Sequence, residues 1–312
     1  MRRALAPAAL AFALVAGACG DSGDATTTTS AVPSEIEPSF PVVVAAGNGD
    51  VTIPARPERI VSTSSTATEM LYAIGAGPQV VAVDRFSNHP PEAPTTELDE
   101  FAPSVEAIVA FEPDLVVVST DVDGIVAALD AIGSVVLLLP PAAGLDDVYD
   151  QLEQLGAASG HQTEASTLTT DLRAEVATIV AGLPDLAEPL TYYHELDSTY
   201  FTAPSGTFIG EIYSLLGLVN IADGAGPDQY VQLSPEEILE RDPDLIFLAD
   251  ATCCGESAAT VAARPGFDAL TAVQAGGVVE LDSDVVSRWG PRIVEFMRVA
   301  ADAIAARTGA GP

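Results

Sequence analysis

The chain carries one segment twice. Ser104 to Leu115 reads SVEAIVAFEPDL and Ser234 to Leu245 reads SPEEILERDPDL, agreeing at Ser, Glu, Ile and the terminal Pro-Asp-Leu with a constant offset of 130 residues. A looser echo lies 142 residues apart: Glu69 and Glu211 each precede a glycine, Gly75 and Gly217, by six residues. A unit built twice in 312 residues implies two similar halves, each long enough to bury a core of its own.

The content of each half identifies the unit. In the first, short Val-rich apolar runs at 60–62, 80–83, 115–118 and 135–139 alternate with helical patterns at 67–74, 105–110 and 125–132. Near-continuous apolar runs are how strands buried on both faces read, and strands alternating with helices imply a covered parallel sheet. The alternation restarts at 190–193 and runs through 208–216, 236–240, 245–248 and 278–281 to a closing helix from Pro291 to about Arg307. Between 145 and 183 no strand pattern occurs. Leu168, Leu172, Val176, Ile179, Val180 and Leu183 share one helical face there, and a helix of about 20 residues spans about 30 Å. The predicted fold is therefore α/β: two Rossmann-like lobes with parallel sheets, at 40–150 and 188–312, joined by one long α-helix within 151–187. Asn48-Gly49-Asp50, between short apolar segments, predicts a hairpin over 42–53 ahead of the first lobe.

The formal charge of −33, with every one of the twelve basic residues an Arg, argues against nucleic acid and anionic membrane surfaces as partners. Met1-Arg2-Arg3 followed by an uncharged, mostly apolar run to Ala18 reads as an export signal too short to span a bilayer. It ends at Cys19, as bacterial lipoprotein signals do, although Ala16 stands where that pattern favours a larger aliphatic residue. Cys19 is thus the expected lipidation site, and residues 19–39, rich in Thr, Ser and Pro, read as a tether. Cys253 and Cys254 are adjacent; in an oxidising exterior they can form a vicinal disulfide, or stand as two small loop residues.

Four strings, RIVSTSSTATEMLYAIGAGPQVVAVD, PSVEAIVAFEPDLVVVS, GTFIGEIYSLLGLVNIAD and LSPEEILERDPDLIFLAD, are similar to the solute-binding proteins of ABC importers for iron chelates, haem and cobalamin, and the resemblance runs from about Arg59 to Ala306. It implies a ligand cleft between two lobes that close little, with an ABC permease and its ATPase as partners. Ser65, where a Pro is common, and TTELDEFAP, in place of a Gly-containing turn, depart from the pattern. Glu69 and Glu211 match the acids that dock into Arg-lined permease pockets in this family. For Glu69, a capping box with Thr66 is an equal reading. Ser234 to Glu237 is also a capping box, with Pro235 at the first helical position.

Ligands of such sheets bind beyond the carboxyl ends of the strands. By that rule Ser64, Ser65, Arg85, Phe86 and His89 of the first lobe, with Tyr200, Phe201, Arg288 and Trp289 of the second, are the candidate ligand contacts. Trp289 beside Arg288 suits a large, planar, partly anionic ligand. His194, after two tyrosines, allows a Tyr–His pair near a haem iron. No cofactor motif or converging metal-ligand cluster is present in the sequence. The expected molecule is a monomeric, lipid-anchored binding protein on the outer face of the cytoplasmic membrane, taking a small-molecule metal chelate. A ferric siderophore is favoured, with cobalamin or haem as alternatives. An exported chelate-modifying enzyme is the rival class, but no nucleophile elbow, zincin or Walker motif appears.

Overall fold

The computed structural model describes residues 39–226 and 230–309. The signal, Cys19 and the tether lie outside them. Among the described residues no helix is long and apolar enough to cross a membrane.

A hairpin of β1 (Val42–Ala46) and β2 (Gly49–Ile53) opens the fold, turning through Gly47 and Asn48. The first lobe then runs β3 (Ile60–Ser62), α1 (Ser65–Ala73), β4 (Val80–Val83), α2 (Val105–Val109), β5 (Leu115–Val118), α3 (Ile125–Asp130) and β6 (Val136–Leu138), with α4 (Leu145–Ser159) closing it. Helix α5 (Gln162–Ala181) leads to the second lobe, which starts with β7 (Thr191–Glu195), β8 (Phe201–Thr202), α6 (Phe208–Leu215), β9 (Val219–Asn220) and β10 (Val231–Gln232). It continues through α7 (Pro235–Arg241), β11 (Leu245–Leu248), α8 (Ala251–Cys254), α9 (Ala258–Ala262), α10 (Thr271–Gln274), β12 (Val278–Glu280), α11 (Ser283–Val286) and α12 (Ile293–Thr308).

The two four-stranded sheets are wholly parallel. Their orders, β4-β3-β5-β6 and β9-β7-β11-β12, are the same arrangement, 2-1-3-4, when strands are counted within each sheet. The repeated Pro-Asp-Leu explains part of this. Asp114 accepts hydrogen bonds from the Glu58 and Arg59 N–H groups (2.8 and 3.0 Å), and Asp244 from the Thr191 N–H and hydroxyl (both 2.9 Å). In each lobe, therefore, the Asp entering the third strand holds the start of the first. The residue before each Pro, Glu112 or Asp242, takes a left-handed backbone conformation (φ 49° and 40°), an uncommon one matched at the same step of both repeats. Ser234 and Glu237 form the expected capping box; Ser104 caps α2.

Two expectations need amending. The helical stretch after 145 is two helices: Gly160 turns left-handed (φ 81°) at the end of α4, and the connection between lobes is α5 alone. A lobe boundary at 150 cuts through α4, because its amphipathic pattern runs into that of α5 without a proline to mark the break. The hairpin has a structural use, too. Gly47 N–H donates to the Leu138 carbonyl (2.8 Å), and the Asn48 amide pairs with the Val136 carbonyl (3.0 Å) and the Leu138 N–H (3.1 Å), so the turn covers the outer edge of β6.

Asp244→Ala leaves the Thr191 N–H without its acceptor in partly buried surroundings, a loss of about 1–3 kcal/mol. A Tm drop of several degrees is expected by calorimetry, with a smaller one for Asp114→Ala, whose bonds are exposed. The reverse ranking would remove Asp244 as the anchor of β7.

Candidate ligand-binding cleft

The loops that follow the strands meet between the lobes in two adjoining cavities of about 510 and 450 Å³, which share Pro141, Asp284, Ser287 and Trp289. The first-lobe cavity receives Ser64, Ser65 and Thr66 after β3, Arg85 and Phe86 after β4, and Ser119 and Thr120 after β5. Ser64 is the N-cap of α1, accepting from Ala67 N–H (3.2 Å), so the hydroxyl loop is fixed by the helix it starts. The capping-box reading of Thr66 and Glu69 therefore gives way to Ser64. The second-lobe cavity is lined by Leu196, Phe208, Ile209, Tyr230, Ala249 and Cys253.

Trp289 lies where the cavities join. Its indole N–H donates to Gln151 of α4 (3.0 Å), and Gln151 in turn donates to the Pro140 carbonyl (2.7 Å). The ring is held in place before any ligand arrives. Arg85 pairs with Asp99 (2.7 Å) and lies 4.8 Å over the Phe86 ring, which meets Phe101 edge-on at 5.3 Å. Phe101 is 67% exposed inside this cavity, and Glu100, bonded to Ser119, has its pKa raised by burial. The sequence reading missed Glu100 and Phe101 because they belong to TTELDEFAP, the segment that departs from the family pattern.

Other expected contacts lie elsewhere. His89 lines a separate small cavity with Glu69, Tyr72 and Arg292. Tyr200, at a left-handed φ of 69°, packs near Arg264 (5.4 Å) and Phe267 (6.1 Å), and Phe201 is an exposed residue of the β8–β10 pair; neither lines the cleft. Phe201 opens β8 and Tyr200 directly precedes it, and the pairing of β8 with β10 holds both away from the cleft. His194 is fully buried, with its Nδ1 2.8 Å from the Tyr213 hydroxyl, and burial lowers its pKa to about 3, so it is a neutral core histidine and no haem ligand. Cys253 and Cys254 are joined as a disulfide.

The main correction concerns Glu69 and Arg288. Glu69 is 4% exposed, and its carboxylate is taken up by arginines of the other lobe. Its carboxylate accepts from Arg288 (2.7 Å) and, in a two-pronged contact, from Arg292 (2.6 and 2.9 Å), both ahead of or at the start of α12 in the other lobe. Arg288 also donates to the Phe86 carbonyl, Asn88 and Asp284, so its guanidinium has no charge to spare for a ligand. Glu211 makes the reciprocal contact. Its carboxylate accepts from Leu145 N–H (3.1 Å) at the start of α4, and a Cβ on Gly144 would come within 2.1 Å of it.

Behind the second-lobe cavity, Glu195 is fully buried and held by both prongs of Arg264 (2.6 Å each), which also pairs with Glu256 (2.9 Å). Asp250 is 1% exposed, and among the described residues neither of its carboxylate oxygens finds a hydrogen-bond partner. Burial, with Glu195 nearby, raises its pKa to about 6.

Glu69→Gln leaves two arginines sharing a neutral amide between the lobes. An unfolding free energy lower by about 3–5 kcal/mol is expected in denaturant titration; unchanged stability would mean the bridge contributes nothing. For Asp250 the folded pKa is above the unfolded value, so the folded state is penalised at pH above about 6 and relieved as pH falls through that value. Asp250→Asn should raise Tm by a few degrees at pH 8, with the gain shrinking by pH 4.5, and a pH-independent effect would refute the assignment.

The periplasmic binding protein family matches residues 60–285. An uncharacterized ABC transporter substrate-binding lipoprotein of Bacillus subtilis is 30% identical over 95% of this chain and 94% of its own length. A cobalamin-binding protein of Halobacterium salinarum is 33% identical over 85% of this chain and 74% of its own. Among solved structures, the periplasmic vitamin B12-binding protein BtuF of Vibrio cholerae superposes with a TM-score of 0.68 at 26% identity, covering 82% of this chain and 99% of that one. The periplasmic heme-binding protein RhuT of Roseiflexus, in apo form, has the same fold (TM-score 0.70, 23% identity, 80% and 99% covered). Paired parallel-sheet lobes, an interlobe cleft and a family match over most of the described fold agree: the chain belongs to the periplasmic binding protein family.

Proposed function

We propose that the protein is the substrate-binding component of an ABC importer and that its ligand is a corrinoid of the cobalamin class. The observation that carries the ligand reading is the chemistry of the cleft. Its two arginines are both paired, Arg85 with Asp99 and Arg288 with Glu69 and Asp284, while Glu100 and Asp284 add negative charge. A polyanionic ferric catecholate or the carboxylates of haem would meet no free counter-charge among these residues. A large amide-fringed macrocycle without net negative charge suits them better. Phe86, Phe101, Tyr230 and Trp289 offer apolar faces, and Ser64, Ser65, Ser119 and Thr120 offer hydroxyls. Relatives named for cobalamin and vitamin B12 binding support the same reading. It is preferred to the ferric siderophore, whose case rested on the family resemblance and on arginine and aromatic residues as cleft contacts; the arginines are now seen to be paired.

In this reading the chain is exported and anchored through Cys19, and it delivers its ligand to a permease driven by an ATPase. Of the two acids expected to meet that permease, Glu211 is half-buried and is the docking candidate; Glu69 is committed to the bridge between lobes. The protein binds its ligand and does not transform it.

The test is titration of the purified protein with cyanocobalamin, haemin, ferric enterobactin and ferrioxamine, read by emission of Trp289, the single tryptophan. Cyanocobalamin should bind at least about tenfold tighter than the other three. A siderophore or haemin in first place would overturn the ligand assignment. By calorimetry, Trp289→Ala should weaken cyanocobalamin more than tenfold, about 1.4 kcal/mol.

A further inference from the structure

We infer that the Cys253–Cys254 disulfide is a wall of the cleft that holds the ligand more tightly in its oxidised form than in its reduced one, an inference that rests on the binding-protein reading above. Cys253 lines the second-lobe cavity with Leu196, Phe208, Ile209, Tyr230 and Trp289. Both cysteines lie in α8, a single turn, and both are exposed, so a reductant in solution reaches them.

The turn is fastened to the neighbouring helix α11 through one hydroxyl residue. Ser283, first residue of α11, approaches Thr252 Oγ1 through its own hydroxyl (2.8 Å), and its N–H donates to the same Thr252 oxygen (2.9 Å). The Cys253 N–H donates to Ser283 Oγ (3.3 Å), and that hydroxyl donates onward to the Ala249 carbonyl. Helix α11 leads directly to Ser287, Arg288 and Trp289, all on the cleft. The disulfide turn and the tryptophan are thus two ends of one short hydrogen-bonded assembly.

Joining adjacent side chains removes their independent rotation and fixes Cys253, the member that lines the cavity, as a polarizable, apolar contact suited to a macrocycle face. A dithiol reductant breaks the Sγ–Sγ bond. Two electrons and two protons pass to the cysteines, giving two thiols, and the reductant closes to its own disulfide. Cys253 and Cys254 then rotate separately, and the Cys253 N–H contact to Ser283 loses its rigid support. An oxidising exterior keeps the wall closed.

The experiment treats the full-length protein in detergent with dithiothreitol, removes the reagent under argon, and confirms the gain of two thiols. Reduction should raise Trp289 emission, increase amide exchange over 283–289 and weaken cyanocobalamin binding by about tenfold. The Cys253→Ser/Cys254→Ser protein should show none of these responses to dithiothreitol. Unchanged emission and exchange after confirmed reduction would overturn the inference. So would a change in them without loss of affinity, or a response that persists in the double variant. If oxidised protein ignores cyanocobalamin, the ligand assignment fails, and the affinity comparison is made with whichever of haemin, ferric enterobactin and ferrioxamine it binds: weaker binding on reduction supports the wall, unchanged binding overturns it.

Discussion

The carboxylate of Glu69, gripped by Arg288 and Arg292 across the lobe boundary, fixes where everything else in the cleft can be. A buried acid between two guanidinium groups is held by direction as well as by charge, because each fork admits few orientations. Arg288 passes the constraint on by binding the Phe86 carbonyl and Asn88, which belong to the loop after β4, and Trp289 is its neighbour in sequence. The tryptophan's position, the shape of the first-lobe loop and the separation of the lobes are therefore settled by one cluster.

The same device operates in reverse on the other side of the approximate symmetry. Glu211 of the second lobe reaches the start of α4, the last helix of the first, as Glu69 of the first lobe reaches the start of α12, the last helix of the second. Both helices are approached through a glycine, Gly144 or Gly290, at which a Cβ would crowd the incoming carboxylate. With α5 packed along both α4 and α12, the lobes are tied at three places. A wide hinge opening would have to break a buried ion cluster, at a cost of several kcal/mol.

Much of this architecture was legible in the chain. The matched Pro-Asp-Leu segments and the Val-rich runs carried the doubled parallel sheet, because burial on both faces leaves a signature that local sequence shows directly. The site was legible in part. Ser64, Ser65, Arg85 and Phe86 reach the cleft because they follow strands, and that rule is topological; Trp289 reaches it from the turn after α11. It failed for Tyr200 and Phe201, where the two-residue strand β8 was too short to leave a pattern. Glu69 was misplaced for a different reason. Its partners stand more than 200 residues away, and no local periodicity distinguishes a solvated acid from one enclosed by distant arginines.

The hairpin at the entrance to the fold has a bearing on solubility. Strand β6 is the last of its sheet, and an uncovered edge of that kind offers its backbone to any other extended chain. Here the Asn48 amide, with one donor and one acceptor, imitates the missing neighbour and occupies that edge. A fragment cut to begin at Arg59, where the repeat and the family likeness start, would keep both sheets and the cleft yet leave β6 bare. The residues ahead of the first recognisable strand thus act as a cover against strand-to-strand association, and the functional domain begins with them.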